Sequence, residues 1–308
     1  MVRVGRALLG VRPRRVPPGG RRGRAGGGGQ GRAGWTVRSV LVVLCVLWLI
    51  PTAAVVVTSF RTGDAVNGSG WWTVLTSPLD TTQYTLANYG QVWNSGMASS
   101  FLNSVAVTLP AVLIPILIAG FAAYAFTFMN FAGRKLLFPV IVALLVVPVQ
   151  VALAPLLRLY SDLQLNGTYA AVYLAHIGFG MPLAVLLLRN FMATLPRTII
   201  ESAKIDGASH YQIFWRLVIP LSTPALAAVA VFQFLSVWND LLIALVFLGE
   251  GDRQTVTMAL GGQIGQVGGR GWQAVSGAAL IAVSVPVLVF LVLQRYFVRG
   301  LIAGAVNG

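Results

Sequence analysis

The sequence predicts an all-α membrane protein with six transmembrane helices, and three observations lead there. Of its 308 residues, 56% are hydrophobic and only 10% are charged, with a mean hydropathy of +0.78, too apolar for an ordinary soluble domain. Six segments, at about 37–60, 103–129, 136–157, 168–189, 222–248 and 273–297, are long enough to cross a bilayer core of about 30 Å, which takes roughly 20 helical residues. The basic residues of the connections also fall largely on one side, as they do when Lys and Arg are held in the cytoplasm.

The elements follow in order. Ten of the 22 Lys and Arg residues lie within the first 38 positions, in a stretch rich in Gly and Pro. Such a composition cannot bury enough apolar surface to offset ordering entropy, so 1–34 is expected to be a disordered cytoplasmic arm rather than a nucleic-acid-binding one, despite the net charge of +14. The membrane-spanning remainder is 35–308. Its first span is too long for the apolar core of a cleaved signal peptide and reads as an uncleaved anchor. The lone cysteine, Cys45, lies inside it, which excludes an intrachain disulfide or a cysteine metal cluster. Pro51, Pro110, Pro115, Pro148, Pro182 and Pro286 fall in or beside spans and predict kinks. Counting Lys and Arg puts 18 with the N-terminal arm together with Arg38 at the start of the first span, the 130–135 turn, the 189–221 loop and the C-terminal end, against four at Arg61, Arg158, Arg253 and Arg270. Both termini and the 190–221 loop are therefore expected in the cytoplasm, with 61–99 and 249–272 outside.

The 190–221 loop has its own grammar. Thr194 is suited to cap a short helix that accepts Pro196 in its first turn, and Gly207 suits that helix's end. Ser209 and Gln212 have capping-box spacing, predicting a second helix through Phe214 and Trp215 that stops before Pro220. Within this frame stand Glu201-Ser202-Ala203, then Asp206-Gly207-Ala208, then Ile219-Pro220.

That order resembles the EAA loop of permeases of ATP-binding-cassette importers. Further matches are Thr85 to Tyr89, Asn103-Ser104, Leu188 to Phe191, Phe232-Gln233-Phe234, Trp238-Asn239-Asp240 and Gln294 to Gly300. Together they are similar to the carbohydrate-importer family, and within it to the maltose-type second permease, from about residue 37 to the end. The resemblance implies a type I importer permease in a bacterial inner membrane, with a second permease, two ATPase subunits, an extracytoplasmic sugar-binding protein and surrounding lipid as partners. It also implies that ATP and Mg are used by the partner ATPase, with no cofactor on this chain. Glu201, Ser202, Ala203, Asp206, Gly207 and Ala208 would then be the ATPase-coupling residues, Glu201 meeting a basic residue in the ATPase cleft. The tail Gly304, Ala305, Val306, Asn307 and Gly308 would enter the ATPase interface, with Asn307 where the family usually has lysine. Gly261, Gly262, Gln263 and Gly265 would belong to a receptor-facing loop, their alternative being a flexible linker. The substrate class nearest in pattern is a disaccharide or oligosaccharide, α-glucosides included.

Polar groups inside spans usually face a bundle interior or an aqueous cavity. Tyr173, His176, Gln233, Trp238, Asn239 and Asp240 are the substrate-path candidates, with Gln150 beside them; core packing, or for Asp240 a helix cap, is the alternative role. The chain has no phosphate-binding G-x-x-x-x-G-K-[ST] loop and no catalytic cluster. A non-catalytic membrane subunit is the reading. The competing functions are an ion-coupled secondary transporter acting alone, which needs internal repeats and charged mid-membrane sites, and a non-transporting scaffold. Both leave the 190–221 grammar unexplained.

Overall fold

The structure, a computed structural model, describes residues 34–249, 251–266 and 271–305. The expected arm, except for Gly34, lies outside the described residues. The chain divides into two units, Met1–Ile50 and Pro51–Gly308, and the packing below belongs to the second. Among the described residues everything regular is helical, apart from one isolated bridge between Arg61 and Tyr84.

α1 (Trp35–Ser59) leads into α2 (Gly63–Gly68), two 3₁₀ turns and α3 (Ala87–Val92). The short pieces are tied together by Arg61, whose guanidinium is 1% exposed and donates to the Ser69 and Gly70 carbonyls at 3.2 and 3.0 Å and to Ser69 Oγ at 2.7 Å. Asn88 donates to the carbonyls of Ser59 and Arg61, both at 2.8 Å, closing the segment onto the end of α1.

A kink at Ser95 and Gly96, where Gly96 takes φ 101°, joins α3 to α4 (Ala98–Phe128). α4 pairs extensively with α7 (Tyr169–Met192), whose first turn is capped by Thr168. Buried alanines on both helices, Ala111, Ala119 and Ala123 on α4 and Ala171, Ala175 and Ala184 on α7, let the backbones approach closely, as small residues do between membrane helices.

Two expected spans are not single straight helices. The segment expected at 136–157 is α5 (Arg134–Ala143), a 3₁₀ turn and α6 (Val149–Asp162), bent by 101°. Val147, extended at ψ 115°, precedes Pro148, and the proline ring disfavours helical geometry in the residue before it. The segment expected at 222–248 is α11 (Thr223–Trp238) followed by α12 (Leu242–Leu248). Here the side chains compete for the backbone: Asn239 Nδ2 donates back to the Leu235 carbonyl at 2.9 Å, and Asp240 accepts from the Ala244 amide at 3.0 Å. Between α7 and α11 lie α8 (Arg197–Ile205), α9 (His210–Ile213) and α10 (Ile219–Leu221); after α12 come α13 (Val256–Gln266) and α14 (Trp272–Ala305). Four helical stretches, Trp35–Ser59, Ala87–Phe128, Tyr169–Met192 and Trp272–Gln294, are long and apolar enough to cross a membrane, and counting each of two bent pairs as one span raises that to six.

Candidate functional site

α8 is amphipathic and pinned on one side. Ile200 is buried in one cluster with Ala123, Tyr124, Leu188, Met192 and Phe214, which tethers the helix through that side chain. Its other side presents Glu201, Ser202, Lys204 and Ile205 to solvent, Ile205 at 86% exposure. Glu201 and Ile205 are four residues apart and share a face. An exposed apolar side chain therefore stands beside an exposed carboxylate on this face.

Asp206 and Gly207 end the helix as expected. Gly207 sits at φ 83°, its amide donating to Lys204 O at 3.0 Å while that of Ala208 reaches Ala203 O at 2.9 Å, the paired bonds of a Schellman turn. The predicted capping box also forms: Gln212 N donates to Ser209 Oγ at 3.3 Å and Ser209 N to Gln212 Oε1 at 2.9 Å. Two details differ from expectation. Thr194 does not cap α8; its hydroxyl donates to Phe191 O at 2.7 Å, closing the end of α7, and Pro196 stands at the cap position. The second helix also does not stop before Pro220. A π turn at Phe214–Val218 absorbs the proline, the chain continues through α10, and the direction changes by 75° at Ser222 into α11. His210 Nδ1 and the Tyr124 hydroxyl share a 2.8 Å hydrogen bond, and Phe214 stacks on Phe121 at 4.3 Å, so the turn-helix is fixed to α4.

The membrane-embedded candidates separate into two groups. His176, Gln233 and Asp240 line one cleft of about 490 Å³ together with Gln150 and Ser236, bringing α6, α7 and α11 to a common space. Gln233 is buried and donates to the Ala111 and His176 carbonyls at 3.2 and 3.3 Å, while His176 Nε2 lies 3.8 Å from Asp240 Oδ2. Gly180 makes this possible, since a Cβ there would sit 2.4 Å from the Gln233 amide. The other group faces elsewhere. Trp238 donates to Ala282 O on α14 at 3.0 Å, Tyr173 to Ala106 O on α4 at 3.0 Å, and Asn239 binds its own helix. These three have packing or capping roles. Asp240 does both, lining the cleft while its carboxylate holds the first turn of α12. Ser236 went unnoticed in the sequence, though it lies three residues beyond Gln233 and so shares its helix face.

The receptor-facing candidates are not in an irregular loop. Gly261, Gly262, Gln263 and Gly265 lie within α13, and a Cβ on any of the three glycines would meet nothing within 4 Å. The element is ordered because Val256 and Met258 are buried and Val256 N donates to Ser104 Oγ at 2.8 Å. In the tail, the helical backbone of α14 includes Gly304 and Ala305, whereas Val306, Asn307 and Gly308 lie outside the described residues.

A helical chain with four to six candidate spans, in which a short exposed helix leads through the Gly207 turn and a 75° bend to a cleft-lining helix, has the form of the membrane component of a transport system. Residues 111–303 match the family described as "Binding-protein-dependent transport system inner membrane component", and the chain belongs to that family. It is 48% identical to the osmoprotective compounds uptake permease protein GgtD of Synechocystis sp., covering 88% of this chain and 91% of that one. It is 38% identical to the alpha-glucoside transport system permease protein AglG of Rhizobium meliloti, covering 89% and 97%. Among solved structures, a bacterial ABC transporter involved in import of the acidic polysaccharide alginate superposes with a TM-score of 0.70 at 22% identity, over 85% of this chain and 95% of that one.

Proposed function

We propose that the chain is one of two permeases of a binding-protein-dependent sugar importer in a bacterial inner membrane, with six spans and both termini in the cytoplasm. Two ATPase subunits, which use ATP and Mg, would dock on α8, and an extracytoplasmic sugar-binding protein would deliver the substrate. One observation carries this reading: α8 leads through the Gly207 turn into α9 and α10 and, across a 75° bend at Ser222, into α11, so a short structured route joins an exposed docking face to the Gln233 cleft. A push on Glu201 and Ile205 then reaches Gln233 and Ser236 through packed helices, where a flexible loop would dissipate it. The cleft's amides, imidazole, hydroxyl and the Asp240 carboxylate are hydrogen-bonding groups of the kind that polyhydroxylated substrates engage. The names of relatives that handle alpha-glucosides and arabinooligosaccharides support a di- or oligosaccharide. Reconstitution with the cognate partners and a screen of sugars for stimulated ATP hydrolysis tests this; sugar uptake by the chain without an ATPase would overturn it.

Orientation has a direct check. In a Cys45→Ala background, cysteine at Ser77, an exposed position on the segment after α1, should react with an impermeant thiol reagent on intact cells. Cysteine at exposed Ser202 on α8 should stay unlabelled until the membrane is opened. The reverse pattern would invert the topology.

The bare face of α13 would meet the receptor. Each of its glycines costs the helix about 1 kcal/mol relative to alanine, a cost consistent with a need for close approach. Gly262→Arg is expected to leave the chain folded and basal ATP hydrolysis intact while reducing receptor-stimulated hydrolysis. Full stimulation would remove the receptor from this face.

A further inference from the structure

We infer that the pocket of about 720 Å³ between the end of α4, the start of α5 and the end of α7 binds the headgroup of an anionic phospholipid. Arg134, Lys135 and Arg189 line it, with Phe131 and Phe138 as its apolar wall. Among the described residues none of the three cations has a carboxylate within ion-pair distance, since the one such pair is His176 with Asp240. Their hydrogen bonds are local. Arg134 Nη1 donates to Met129 O at 2.9 Å and Asn130 Oδ1 at 3.3 Å, and Arg189 Nη1 to Asn190 Oδ1 at 3.4 Å. Each guanidinium has five N–H donors, so most remain for an anion. Arg189 lies over the Phe138 ring at 4.9 Å, which holds it at the pocket wall rather than in solvent.

A phosphate diester offers one negative charge and two non-bridging acceptor oxygens to the three cations that line the pocket, and the surroundings select a lipid as its carrier. Next to the cations, α5 exposes Leu136 at 69%, Leu137 at 48% and Val140 at 49%, a continuous apolar track for the first methylenes of an acyl chain. A soluble anion or an acidic loop of a partner protein leaves that track uncovered. Basic pockets between transmembrane helices at the cytoplasmic face suit anionic headgroups for these reasons, each cation contributing about 1 kcal/mol. This site is independent of the cleft and of α8; only its assignment to the inner leaflet rests on the proposed orientation.

The test uses the assembled importer in nanodiscs of phosphatidylcholine doped with a photoreactive phosphatidylglycerol. Labelling is expected on α5 and α7 peptides, falling about fivefold in Lys135→Gln and again in Arg189→Gln, retained in Lys135→Arg, and unaffected by millimolar inorganic phosphate. Lys135 is exposed, and the arginine variant controls for folding. Equal labelling of wild type and both glutamine variants would overturn the proposal. So would full competition by inorganic phosphate, which points to a free-anion site, or labelling of the chain alone that disappears when the ATPase assembles, which gives the surface to the ATPase.

Discussion

Glu201→Lys is expected to reduce ATP-dependent uptake by about tenfold or more while leaving the chain inserted and folded. The side chain is exposed on α8, so the substitution removes no internal contact. At the proposed ATPase contact it places like charges together, which costs several kcal/mol, and each 1.4 kcal/mol is a factor of ten in binding. Gly207→Pro reaches the same end by another route. Its φ of 83° lies far from the roughly −65° of proline, and the Gly207 amide that bonds Lys204 O disappears. Co-purification of the ATPase with the complex, measured beside uptake, separates the two: Glu201→Lys should lose the partner, and Gly207→Pro should weaken it by disordering the turn. Wild-type uptake in both variants would remove α8 from the coupling route.

Gly180→Ala is expected to destabilise the membrane domain by about 1–3 kcal/mol, the range for stranding a buried hydrogen-bonding group. The added methyl would fall 2.4 Å from the Gln233 amide, which is buried and bonded to two carbonyls on α4 and α7. Gln233→Ala opens that space. The double variant should therefore be less destabilised than the sum of the singles, the signature of direct coupling. Thermal unfolding in detergent reads both effects. Additive losses would mean that Gly180 and Gln233 do not meet, and with them the shape of the cleft would fall.

The 190–221 loop was largely legible in the sequence because its signals are local. The Gly207 turn and the Ser209–Gln212 box each depend on fewer than seven consecutive residues, and both form. Thr194 departs from the local pattern because two helix ends compete for its hydroxyl, and a carbonyl in the last turn of α7 wins. Pro220 was read as a stop because a proline breaks an α-helix, but a π turn offers the chain a way past it. In the substrate path, residue type identified polar positions within apolar runs without giving their direction. Gln233 and Trp238 are five residues apart on α11, and only one faces the cleft.

By itself the sequence determined the helical membrane class, the segments apolar enough to lie in lipid, the uneven share of basic residues among the connections and the helix-turn-helix at 197–213. All of these follow from composition, from the requirement that backbone groups in lipid bond within their own segment, and from contacts between near neighbours. Only the tertiary structure decided where Val147–Pro148 and Asn239–Leu241 break the expected spans, which polar side chains converge on one cleft, and that Gly261, Gly262 and Gly265 stand on a helix. Those outcomes depend on residues brought together from distant positions, such as Gln233 with Ala111 and Val256 with Ser104, and a periodicity along one segment cannot specify which partner another segment presents to it.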